Sequence, residues 1–124
     1  IVIEVQLDRS GGGRPHAQWG FIALPRYAER AAEGEEIIEY ARDLQGRGIR
    51  VNVVSPGPVK TPGLGDLVAE EHRQGLYDAL AAQVPLGRLG APGEVGKAVA
   101  FLASDAASFI NATELFVDGG MAQI

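Results

Sequence analysis

The chain of 124 residues contains no cysteine, so disulfides and thiolate metal sites are excluded, and a reducing cytoplasm fits. Aromatic residues make up only 6%, with a single Trp. Basic residues are short: 11 Lys and Arg against 16 Asp and Glu, for a net charge of −5. That balance argues against nucleic acid as a partner, which wants a basic face. No apolar run approaches the roughly 18 residues of a membrane span. The N-terminal "IVIEVQLDRS" has no basic stretch followed by an apolar core, as a secretory signal would. It also has no initiator Met, so a trimmed chain or a part of something longer is expected. His16 and His72 stand alone, without metal-ligand spacing, and no metal site is expected.

What is present is an ordinary globular mixture, 46% apolar and 22% charged, at a length that suggests one domain over 1–124. Residues 1–7 alternate: Ile1, Ile3, Val5 and Leu7 share one face of an expected strand. Residues 8–26 are rich in Gly and Pro without apolar period, and read as an irregular loop. Residues 27–44 turn helical, with Ile37, Ile38, Ala41 and Leu44 on one face and Gly46 or Gly48 ending the helix. "IRVNVVS" is rich in β-branched residues and predicts a strand. Three prolines and two glycines at 56–63 stop it and enforce a loop. Residues 66–82 read as a helix with few large apolar anchors. Pro92 starts a firmer one, with Val95, Val99 and Leu102 at helical spacing and Glu94 just inside. "ELFVDGG" predicts a last strand closed by glycines.

Strands separated by helices imply parallel pairing with right-handed crossovers. The expected class is α/β, a partial Rossmann-like sheet of about three parallel strands with flanking helices. In such sheets ligands sit beyond the carboxyl ends of strands. The loops 55–63 and 118–120 lie there. Glycines permit close backbone approach, and prolines pre-order the loop so that less entropy is lost on binding.

The stretches "GRGIRVNVVSPGPVKTPG" and "VPLGRLGAPGEVGKAVAFLASDAASFINATELFVDGG" carry a resemblance. From residue 46 to 124 the chain resembles the C-terminal part of the short-chain dehydrogenase/reductase family. The resemblance implies an oxidoreductase that passes hydride between the nicotinamide of NAD or NADP and a carbonyl or alcohol. It assigns Pro56, Gly57, Val59 and Thr61 to cofactor contacts. It assigns helix 92–103 and strand 114–118 to a homo-oligomeric interface.

The sequence departs from the family pattern upstream. The cofactor-phosphate motif T-G-x-x-x-G-x-G is absent, as is the N-A-G segment. The family's Tyr-x-x-x-Lys pair is not intact. Ungapped, its positions fall on Arg26 and Arg30, with Tyr27 one place off. Tyr27 and Arg30 are the candidate catalytic pair. A nearby cation favours the ionised phenol, and residues three apart share a helix face. Arg keeps its proton, however, and would relay one poorly. The segment 10–34 departs most; a local frame change or a segment replacement would produce that. The alternative function is a non-catalytic truncated homologue acting as an oligomerisation or small-ligand binding module. The strand at 1–7, central in the family, would have an open edge. That edge should pair with another copy, be covered by the loop at 10–25, or cause aggregation.

Overall fold

The computed structural model describes residues 3–4, 22–23 and 37–123. Four short strands make one sheet: β1 (Ile3–Glu4), β2 (Ile22–Ala23), β3 (Val53–Pro56) and β4 (Glu114–Val117), in the order β2-β1-β3-β4. Helices α1 (Ile37–Asp43), α2 (Pro62–Gly65), α3 (Arg73–Ala81) and α4 (Pro92–Ala103) lie between them in sequence. The α/β class stands.

The strand senses differ in part from expectation. β3 and β4 are parallel, since their bonded partners rise together: Val51 with Ala112, Val53 with Thr113, and Gly57 with Val117. β1 instead runs antiparallel to β3, with Ile3 opposite Val54 and Glu4 opposite Val53. β2 runs antiparallel to β1 and comes from within the expected loop 8–26. It occupies the edge of β1 that a second parallel neighbour would have taken, so an open row of backbone donors and acceptors is covered from within the chain. The rest of 8–26, and the helix expected over 27–36, lie outside the described residues.

The chain groups into two compact units. One comprises Ile1–Val54 and Val99–Leu115, the other Ser55–Ala98 and Phe116–Ile124. In the first unit, α1 turns Ala41 inward, and Leu44 just beyond it packs with Val51, flanked by Ile37 and Ile49. Ile38, expected on that face, is 44% exposed, because adjacent helical positions diverge by about 100°. Gly46 follows the helix at φ +80°, the left-handed conformation that closes helices.

Asn52 is fully buried, and its amide is used at both ends. Nδ2 donates to the Ile110 carbonyl at 3.2 Å, and Oδ1 accepts from the Thr113 N–H at 3.2 Å. Asn111 Oδ1 accepts from the Val51 N–H at 2.8 Å. Ala112 takes φ 57° beside it, a cost that this surrounding network supports. Arg50 donates to the carbonyls of Leu102, Ile110 and Ser104 at 2.7, 3.0 and 3.3 Å. A cation at the last turn of α4 also suits the negative end of its dipole.

In the second unit, the helix expected over 66–82 is shorter. Ala69 at ψ 150° interrupts it, and a 3-10 turn at Glu70–His72 leads into α3. No residue of α3 is buried, as its scarcity of apolar anchors implies. Val84 is buried, and Gly119 at φ +68° leaves room for it: a Cβ there would lie 2.5 Å from a Val84 methyl. No described helix is long and apolar enough to cross a membrane.

Candidate functional site

The site is built where β3 ends. Val53 and Val54 make a buried strand, and Pro56 closes it by removing a donor. Gly57 N–H still donates to the Val117 carbonyl at 3.1 Å, so pairing with the neighbouring strand continues one residue further. The chain then forms one parallel bridge, Val59 opposite Gly90. The bonds of that bridge belong to the flanking residues. Lys60 N–H donates to the Gly90 carbonyl at 2.9 Å, and Gly90 N–H donates to the Pro58 carbonyl at 3.0 Å. The N–H and C=O of Val59 itself therefore point to the opposite edge. Thr61 caps α2, its Oγ1 accepting from Leu64 N–H at 3.2 Å. A hydroxyl that accepts retains a hydrogen to donate.

Within the same unit, a pocket of ≈ 470 Å³ opens beside the loop, within the range of small-molecule sites. Its walls include Val59, Leu86, Arg88, Glu94, Phe116 and Asp118. Arg88 grips Glu94 with two bonds of 2.8 and 2.7 Å, and Glu94 also accepts from the Ala91 N–H at 2.8 Å. The second contact is half of a capping box at the start of α4. The Arg88 bond, then the Ala91 N–H, hold the Glu94 carboxyl down at about 2. Asp118 accepts from Ala122 N–H at 2.7 Å and Gly120 N–H at 2.8 Å. These two bonds hold its carboxyl below the usual range. Both acids are thus kept ionised and occupied. They suit a structural wall and a fixed field rather than proton transfer at neutral pH.

Of the expected cofactor residues, Val59 lines this pocket, while Pro56, Gly57 and Thr61 are not among its walls. Pro56 and Gly57 shape the strand end, and Thr61 shapes the turn after it. Tyr27 and Arg30 lie outside the described residues. Among the described residues, no three His, Asp or Glu groups are placed to hold a metal ion. Arg88 escaped the sequence reading. Its partner Glu94 lies six residues on, not at a helical spacing, and only Glu94 near a helix start was a usable signal.

The family described as enoyl-(acyl carrier protein) reductase matches residues 35–122. The chain is 36% identical over 110 residues to 2-(S)-hydroxypropyl-CoM dehydrogenase 3 of Xanthobacter autotrophicus, covering 85% of this chain and 43% of that protein. It is 48% identical over 81 residues to a 3-oxoacyl-(acyl-carrier-protein) reductase of Salmonella typhimurium, covering 65% and 31% respectively. Among solved structures it resembles a short chain dehydrogenase family protein of Francisella tularensis, with a TM-score of 0.68 and 28% identity over 84% of this chain and 47% of that one. It also resembles a C-terminal deletion mutant of the aldohexose dehydrogenase of Thermoplasma acidophilum, with a TM-score of 0.67 and 32% identity over 80% and 45%. The chain thus spans less than half the length of each of these relatives.

Proposed function

The chain belongs to the short-chain dehydrogenase/reductase family, and from that premise we propose that it supplies the nicotinamide-side wall of an NAD or NADP site. The observation that carries this reading is the backbone of Val59, whose N–H and C=O face away from the Gly90 bridge. A donor and an acceptor side by side on an extended residue complement a carboxamide, which offers one of each. Thr61 adds a hydroxyl at the following turn. The residues present therefore fit the nicotinamide end of the cofactor. When bound, NAD or NADP supplies or accepts the hydride exchanged with a carbonyl or alcohol. Val59 and Thr61 would hold its carboxamide end, while Pro56 and Gly57 would fix the height of the loop. By the resemblance, Tyr27 would donate or take the proton, with Arg30 three residues on as its cationic partner.

Thermal unfolding with and without NADH or NADPH tests the reading. Cofactor at about 100 times its dissociation constant should stabilise the fold by roughly 2.7 kcal/mol. An unchanged unfolding temperature at millimolar cofactor, for both dinucleotides, would reject it for this chain.

The second reading is a non-catalytic assembly module, and it is favoured by two exposed aromatics. Phe101 on α4 is 45% exposed and Phe116 on β4 is 44% exposed. These lie in the helix 92–103 and strand 114–118 that the homo-oligomer would use. A concentration-independent monomer in sedimentation equilibrium counts against this reading.

A further inference from the structure

Helix α3 carries Arg73 and Tyr77 four residues apart, so both project from one face. Both reach the short stretch that follows the Pro-Gly loop. Arg73 Nε donates to the Gly65 carbonyl at 3.0 Å, and its Nη2 donates to Asp66 Oδ1 at 3.0 Å. The Tyr77 hydroxyl occupies the place a side chain would need at Gly65, 2.6 Å from an ideal Cβ there. The ammonium of Lys60 stands 5.1 Å from the centre of the Tyr77 ring, within cation–π range. Thr61 fastens the middle of the stretch by capping α2.

What holds this stretch in place is decided by burial. Helix α2 has four residues, too few to be stable alone. Along α2 and α3 the buried residue is Gly65, which has no side chain to bury. Apolar burial therefore contributes little here, and beyond the Lys60 N–H bond to Gly90 the contacts that reach the stretch from α3 are polar and ring contacts.

We propose that Tyr77 is a positioning residue that clamps residues 60–66, at Gly65 through its hydroxyl end and at Lys60 through its ring. The clamp fixes the far end of the loop and so steadies Thr61, while the Gly90 bridge sets the direction in which Val59 faces. Its functional meaning rests on reading that loop as a cofactor wall. The clamp itself needs no ligand, and it is measured without one.

Amide hydrogen exchange of the whole chain, followed by mass spectrometry, is the test. Tyr77→Leu should speed exchange across 60–66 on the order of tenfold while 51–54 keep their protection. Tyr77→Phe keeps the ring over Lys60 and should remain closer to wild type than Tyr77→Leu. Lys60→Met should speed exchange about two- to fivefold, and Lys60→Arg, which preserves the cation, should restore it. Wild-type exchange at 60–66 in Tyr77→Leu would overturn the proposal, as would Phe and Leu variants that loosen equally. Should Tyr77→Leu lose protection at 51–54 as well, the Lys60 pair decides: no difference between Met and Arg overturns the clamp. A chain that fails to bind NADH yet shows these patterns keeps the clamp and loses the cofactor reading. A chain that binds NADH without them does the reverse.

Discussion

Gly57 and Asp118 stand at the ends of neighbouring strands, so close that a Cβ on Gly57 would lie 2.7 Å from both Cα and Cβ of Asp118. Backbone atoms cannot swing aside as a flexible side chain can. Gly57→Ala should therefore separate the strand ends and destabilise the fold by about 1–3 kcal/mol. Urea unfolding measures this, and a loss below about 0.5 kcal/mol would mean that the strand ends are looser than the structure shows.

Asn52 should be the polar side chain the first unit tolerates losing least. Replacing it with Leu keeps much of the volume but leaves the half-buried Thr113 N–H without its partner, while the Ile110 carbonyl keeps its bond from Arg50. The expected loss is about 1–3 kcal/mol, from one unpaired donor. Asn52→Leu unfolding at the wild-type denaturant midpoint would contradict this.

Acid should weaken the start of α4. The Glu94 carboxyl titrates at about 2 in the fold, against an ordinary 4.5. A lowered carboxyl contributes stability that is fully present above the unfolded value and fades as pH falls through the folded one. The window is therefore about 4.5 down to about 2. The pair is well exposed, at 55% and 41% for the two side chains, so the effect is small. Stability measured against pH should fall less steeply in that window for Glu94→Gln than for wild type. Equal slopes would show that the Arg88 contact does not persist in solution.

Much of the fold was legible where apolar spacing decided it. Val51, Val53 and Val54 gave a buried strand, Pro56 and Gly57 its end, and Val99 and Leu102 the inner face of α4. Ile38 misled because it lies about 100° round the helix from Ile37, at the margin of the apolar face. The antiparallel entry of β1 and the strand at Ile22–Ala23 were not legible, because pairings of only two residues are too short for an apolar alternation to mark. The resemblance drew the eye to Pro56, Gly57, Val59 and Thr61. It said nothing of Tyr77 over Lys60, since neither a helix period nor a strand period links those positions. Contacts between elements distant in sequence were the part that composition and spacing did not encode.

The bonds joining the Arg50–Asn52 stretch to Ile110–Thr113 close separations of 58 to 61 residues. Time is the consequence. Helices α3 and α4 can form from neighbours in sequence, but the parallel pair cannot begin until some 60 residues have been looped back. Refolding should therefore show helical signal early and the burial of Asn52 late.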